Sequence, residues 1–190
     1  MARLTEIRWH ARGGQGAKTA ATFLAEAAIE DGKYSQGFPD YGPERMGAPM
    51  RGFTRISDQP IRLHCAIENP DVVIVLDDTL LDSVNVCEGL PESGVLIINT
   101  KKEAAAIRSK LDWTGKKLFL VNASEIALEE MGRPIPNTPM LGALAKVSQT
   151  LSLEVLLKDI EKKFSKKFKK QIVEANLRAI KRAYEEVKPA

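Results

Sequence analysis

The sequence predicts an α/β fold: three layers, with a mostly parallel central sheet, an antiparallel hairpin and a helical C-terminal third. Three observations predict it. Short, continuous apolar runs at Val72–Leu76, Val95–Ile98 and Leu118–Val121 are spaced widely enough for helical crossovers, and strands apolar throughout are buried on both faces, as in parallel sheets. A strand-like run over Thr5–His10 passes through glycines into a segment of helical periodicity. From Thr138 onward the apolar residues recur at the helical spacing to the C-terminus.

In the first unit, Ile7 and Trp9 alternate with polar residues, and Ala17, Ala20, Ala21, Leu24, Ala27 and Ala28 then share one helical face. Alanines there let a helix lie close against a sheet, and Asp31-Gly32 is its stop signal. After a short run at Tyr34–Phe38, Gly37, Pro39, Gly42, Pro43, Gly47 and Pro49 predict a long irregular loop from Phe38 to Pro49. Gly52–Ile56 and Ile61–Cys65 read as two strands joined by Ser57-Asp58-Gln59-Pro60, the expected hairpin. Crossover helices are expected from near Thr79, Glu103 and Ser124, with Asp78 capping the first. Thr138-Pro139 matches an N-cap with proline at the first helical position, and Ser152 precedes Leu153, Leu156, Leu157, Ile160 and Phe164. A last helix carries Val173, Leu177, Ile180, Tyr184 and Val187, with Asn176 at the edge of its apolar stripe and in need of partners if buried.

The 190 residues fit a single domain, 1–190, able to bury about two thirds of its unfolded surface without disulfides. Hydrophobic residues at 44% and charged residues at 28% describe a globular chain rather than a disordered one. No apolar run long enough for a membrane span is present, and the N-terminus lacks signal-peptide architecture, so a cytoplasmic location with no membrane partner is expected. The net charge of +3 is concentrated: Lys158–Lys170 holds seven lysines against Asp159 and Glu161, so the rest of the chain is slightly acidic. Such a patch reads as a solvated helix face, and no nucleic-acid partner is expected. Cys65 and Cys87 are expected to be buried reduced thiols. Without Cys or His at ligand spacing nearby they predict no metal site and no iron–sulfur cluster held by this chain.

Where chemistry is concerned the glycine turn is the strongest signal. Arg12-Gly13-Gly14-Gln15-Gly16 sits between strand and helix, where unpaired helical N–H groups and the helix dipole favour an anion. Lys18 adds charge nearby. It is neither the dinucleotide fingerprint, since Thr19 stands where the third glycine belongs, nor a P-loop. On spacing alone, a phosphate-accepting turn and a turn needed only for helix–sheet packing stand level. No catalytic nucleophile is expected, and His10 and His64 lack an acidic orienter in sequence and read as structural or surface residues. Arg51 and Arg55 flank Phe53, either as a basic stripe facing a partner or as a protected edge.

Three segments in order, Gly13-Gly14-Gln15-Gly16, Tyr41-Gly42-Pro43-Glu44-Arg45-Met46-Gly47-Ala48-Pro49 and Asn137-Thr138-Pro139-Met140-Leu141-Gly142, resemble the gamma subunit of the pyruvate and ketoisovalerate (2-oxoacid) ferredoxin oxidoreductases. The closing Asn176-Leu177-Arg178-Ala179 resembles the end of that family, so the likeness covers nearly the whole chain. It implies a complex that oxidatively decarboxylates a 2-oxoacid, pyruvate being first choice, to acyl-CoA and CO2 while reducing ferredoxin. It further implies that alpha and beta subunits hold thiamine diphosphate, that a delta subunit holds iron–sulfur clusters, and that this chain is not active alone. Coenzyme A is the implied ligand here, with Arg12, Gly13, Gly14, Gln15, Gly16 and Arg45 as its contacts. Met46 stands where many relatives have a second arginine. The loop residues Phe38, Tyr41, Gly42, Pro43, Glu44 and Met46 are expected to face partner subunits. The alternatives kept beside this reading are a purely structural scaffold and an independent nucleotide-binding oxidoreductase subunit.

Overall fold

The computed structural model describes residues 4–40, 46–148 and 150–190. Its strands are β1 (Leu4–Arg12), β2 (Tyr34–Asp40), β3 (Pro49–Ser57), β4 (Val72–Val75), β5 (Val95–Asn99), β6 (Lys117–Val121) and β7 (Lys188–Pro189). The helices are α1 (Ala17–Glu30), α2 (Ala104–Arg108), α3 (Ala123–Met131), α4 (Asn137–Val147), α5 (Leu153–Phe164) and α6 (Lys170–Glu186). These strands form one sheet in the order β2-β3-β1-β4-β5-β6-β7. The central β1, β4, β5 and β6 run parallel, whereas β3 pairs antiparallel with both β1 and β2, and β7 antiparallel with β6.

Alternation along the buried strands divides the core in two. Val72 and Ile74 of β4 and Ile97 of β5 face α1, α4, α5 and α6, while Val73, Val75, Leu96 and Ile98 face the opposite layer of Leu80, Val86, Leu90 and Ile107. Alanine on α1 has the expected consequence: a Cβ added at Gly37 of β2 would lie 2.7 Å from the Ala21 carbonyl oxygen. At the same contact, Trp9 Nε1 donates to Thr54 Oγ1 at 3.1 Å, and that hydroxyl donates to the Ala21 carbonyl at 3.1 Å, so the polar atoms under the helix are paired.

The hairpin is not the one the turn residues predict. Ile61–Cys65 has no regular structure, and the partner of β3 on its outer side is β2, which continues through Pro39 to Asp40. Pro39 is tolerated because β2 is an edge strand, where a missing N–H leaves no ladder bond unmade. The first crossover is also shorter than expected, a 3₁₀ turn over Asp78–Asp82. Asp77, not Asp78, is its cap, accepting from Thr79 N, and Asp78 instead accepts from Thr100 Oγ1 at 2.5 Å and pairs with Lys102 at 3.1 Å. The second crossover helix, α2, begins at Ala104 and spans five residues, and α3 begins at Ala123. Thr138 is inside α4 and buried, the helix starting at Asn137, whereas Ser152 caps α5 through Val155 N as its sequence position suggests. Cys87 is buried, with burial pushing its thiol up to about 11, but Cys65 is exposed beside the Arg55 guanidinium.

The C-terminal helices pack by near backbone contact. A Cβ at Gly142 of α4 would lie 2.0 Å from the Ile180 carbonyl oxygen of α6, so only glycine fits there. Asn176 finds the partners its burial requires: Thr138 Oγ1 donates to its Oδ1 at 3.1 Å, and its Nδ2 donates to the Ile172 carbonyl at 2.8 Å.

Candidate functional site

The three segments singled out by sequence meet at the N-terminus of α1. After β1, Gly14 (φ 96°) and Gly16 (φ 81°) take the left-handed backbone region that glycine alone enters readily. Gly13 N donates to the Ala48 carbonyl at 2.9 Å and Gly47 N to the Gly13 carbonyl at 3.2 Å, which ties the second segment to the first. The third arrives through Asn137, whose Nδ2 would be 2.6 Å from a Cβ on Gly16. Residues 41–45, which include Tyr41, Gly42, Pro43, Glu44 and Arg45, lie outside the described residues.

Asp77, at the C-terminal end of β4, is the polar hub of the loop. Gln15 bridges it, donating from Nε2 to Asp77 Oδ2 at 2.6 Å while its Oε1 accepts from Arg12 N at 2.8 Å. Thr79 donates to Asp77 Oδ1 from both its backbone N, at 3.0 Å, and its hydroxyl, at 2.6 Å. Burial alone would raise the Asp77 carboxyl; hydrogen bonds from Thr79 and Gln15, helped by the Arg12 charge, outweigh it and hold the group below the usual carboxylate range. Arg12 is largely committed to this cluster. Its Nε and Nη2 donate to Thr79 Oγ1 at 3.0 and 2.8 Å, Nη1 donates to the Gly47 carbonyl at 3.2 Å, and Nε lies 3.5 Å from Asp77 Oδ2.

Beyond Asp77 opens a cavity of about 340 Å³ at the C-terminal ends of β4, β5 and β6, lined among others by Gln15, Asp77, Thr100, Lys102 and Ser124. Open α/β sheets bind ligands at this edge. Its floor is ordered by Asn99, which donates to the Leu76 carbonyl and to Ser124 Oγ, each at 2.8 Å, and accepts from Ser124 N at 3.0 Å. Two glycines of the loop serve different ends. Gly16 is required by Asn137, whereas among the described residues a Cβ on Gly14 would meet nothing within 4 Å. No described residue therefore blocks close approach to the backbone at Gly14, as contact with a phosphate group requires.

Of the residues expected to face partners, Phe38 packs on Phe53 with ring centroids 5.2 Å apart and lies under the Arg55 guanidinium, while Met46 is 95% exposed. Arg51 and Arg55 do share a sheet face with Phe53, but β3 is an interior strand, so the protected-edge reading fails. Arg55 is buried and paired with Glu6 at 2.7 Å, and Arg51 pairs with Asp40 at 2.6 Å. His10 is buried and His64 exposed. Sequence reasoning missed the hub role of Asp77 and the seat of Asn137 on Gly16. The first was legible as Asp-x-Thr, a spacing that closes a side-chain turn; the second depends on a tertiary contact with no local signal.

Among the described residues, no group of three or more His, Cys, Asp or Glu is placed to hold a metal ion, and no helix is long and apolar enough to cross a membrane.

Comparison with known proteins supplies the remaining observation. Residues 6–186 match the family model for pyruvate ferredoxin/flavodoxin oxidoreductase. A pyruvate synthase subunit PorC from Thermotoga maritima is 56% identical over 183 residues, 96% of this chain and 94% of the relative. The pyruvate/ketoisovalerate oxidoreductases common subunit gamma of Pyrococcus furiosus is 48% identical over 183 residues, covering 96% and 97%. The crystal structure of the Thermotoga maritima pyruvate oxidoreductase subunit superimposes with a TM-score of 0.88 at 53% identity and covers 98% of each chain.

Proposed function

Starting from a chain that belongs to the pyruvate ferredoxin/flavodoxin oxidoreductase family, we propose that it helps position coenzyme A within the complex through the glycine loop. The chain is a subunit of a pyruvate/2-oxoacid ferredoxin oxidoreductase. The observation that carries the finer reading is the convergence of three separated segments on the N-terminus of α1, with an open left-handed Gly14 and a cavity adjoining Gln15 and Asp77. In this reading the N–H groups of the first turn of α1 receive a phosphate of coenzyme A, and Arg45 adds a bidentate cation. Gln15 and Arg12 act one step back: bonded to Asp77 and Thr79, they hold the turn in shape. The thiol end would then reach toward thiamine diphosphate in the alpha and beta subunits, where it accepts the acyl group. Electrons leave through clusters of a delta subunit to ferredoxin, and a cytoplasmic location goes with that chemistry. Phe38, Met46 and the segment between them face the partner subunits. The chain is read as one domain over 1–190.

A second reading is favoured by a specific observation: the Arg12 guanidinium is consumed internally, as a purely structural scaffold would have it. Kinetics of the anaerobically purified complex separate the two. With Arg45→Ala, positioning predicts a rise of about tenfold in KM for coenzyme A, the loss of one charge-assisted phosphate contact, with KM for pyruvate unchanged. The scaffold predicts no change in either.

A further inference from the structure

On the sheet face opposite α1, the register places His10 and Arg51 directly across from one another, with Arg8 two residues along β1 and Asp40 beyond Arg51 on β2. A cavity of about 250 Å³ opens here, lined by Arg8, His10, Asp40, Arg51, Asn85 and Glu88 among others. It shares no lining residue with the cavity beside Asp77.

Its floor is built from charged and polar groups removed from water. Arg8 is 2% exposed and spends its donors on backbone: Nη1 on the Glu68 carbonyl at 3.2 Å, Nη2 on the Val86 carbonyl at 3.1 Å and on the Glu88 carbonyl. Its Nε donates to His10 Nε2 at 3.1 Å. Among the described residues no carboxylate forms an ion pair with it, although a buried cation ordinarily acquires one. Because His10 Nε2 accepts a hydrogen bond, the neutral ring carries its proton on Nδ1. Burial foremost, then the charges of Arg8 and Arg51, push the His10 pKa down to about 3, so the ring is neutral under all ordinary conditions. Nδ1 has no hydrogen-bond partner among the described residues, in a side chain only 4% exposed. The His10 side chain lines the cavity.

We propose that this cavity is a carboxylate-binding site, in which His10 Nδ1–H donates to one oxygen and Arg51, at the rim, to the other. One feature chooses a carboxylate over a neutral acceptor: among the described residues the floor guanidinium of Arg8 forms no ion pair with a carboxylate, and a second guanidinium, Arg51, stands at the rim of the same cavity. The two acids of the wall do not fill the role: Asp40 already takes both Nε and Nη2 of Arg51 on its Oδ2, at 2.8 and 2.6 Å, and Glu88 is exposed at the mouth. The carboxylate comes either from a small free acid or from an Asp or Glu side chain of a neighbouring subunit. This inference does not depend on the glycine loop binding coenzyme A.

The chain has two histidines, one in the cavity and one, His64, exposed in an irregular segment. The full-length chain labelled with ¹⁵N-histidine is titrated with sodium acetate at pH 7, sodium chloride at equal ionic strength serving as control. The site predicts a saturable shift of the His10 resonances with acetate, none at His64, and at least tenfold weaker binding in Arg51→Gln; Arg51→Lys replaces that variant if it fails to fold. Repeating the titration in the assembled complex identifies the source. Retained acetate binding marks a free acid; blocked binding, together with weaker assembly of the Arg51 variant, marks a partner side chain. An unmoved His10 resonance, an equal shift with chloride, or unaltered acetate affinity in the Arg51 variant overturns the proposal.

Discussion

Gln15 and Asp77 are joined at 2.6 Å, a side-chain bond between the turn that opens α1 and the end of β4. Through it the glycine loop is anchored to the edge of the parallel sheet rather than standing on its own backbone bonds. Replacing Gln15 by Leu leaves Asp77 short of one donor and Arg12 N without its acceptor. The expected cost is about 1–3 kcal/mol of stability, read by chemical denaturation of the isolated chain.

The two left-handed glycines of the loop separate strain from crowding. Among the described residues Gly14→Ala meets nothing within 4 Å, and it bears backbone strain of about 1 kcal/mol. Gly16→Ala bears the same strain and also drives into Asn137, so it should be the more destabilising of the pair. Adding Asn137→Ala to Gly16→Ala should recover part of the difference. Thermal unfolding of the four proteins checks the order.

Gly142 tests the packing of the C-terminal third. A methyl group there collides with the Ile180 backbone, which no side-chain rotation relieves. Gly142→Ala should cost about 1–3 kcal/mol and separate α4 from α6, seen as faster hydrogen exchange in α6. Gly132→Ala is the contrasting case: its φ is positive, at 70°, unlike that of Gly142, but among the described residues its Cβ meets nothing within 4 Å, so it bears backbone strain without a collision.

The buried His10 sets a pH dependence whose sign is fixed. Its folded pKa, about 3, is below the unfolded value of 6.5, so between those limits the unfolded chain binds a proton that the folded one excludes. Stability from this group is complete above pH 6.5 and declines as pH falls toward 3, by at most about 1.4 kcal/mol per pH unit. Asp77 acts in the same direction at lower pH: its depressed folded pKa stabilises above the ordinary carboxylate range, and that contribution is lost on acidification. Denaturation midpoints from pH 7 to 4 should therefore fall less steeply for His10→Asn than for the parent chain.

What was legible in the sequence follows from the range of each signal. The unit β1–turn–α1 and the buried strands β4, β5 and β6 announce themselves within a few residues, because double-sided burial and left-handed turns constrain composition locally. The antiparallel partner of β3 does not. Ile61–Cys65 has strand-like composition and a turn before it, yet the edge position is taken by β2, whose Gly37 is dictated by α1. Capping by Asp77 rather than Asp78 turns on one residue of register. The Arg8–His10 floor was invisible because alternation along β1 marks Ile7, Trp9 and Ala11 as the inward face, while the covering of the other face comes from Glu68, Val86 and Glu88, far along the chain.

The central claim, that the open backbone at Gly14 receives coenzyme A, is tested most directly by Gly14→Val in the anaerobically purified complex. With all subunits co-purifying, the account predicts a KM for coenzyme A raised about tenfold or more, as loss of a charge-assisted contact implies, and an unchanged KM for pyruvate. An unchanged KM for coenzyme A in that intact complex would contradict it.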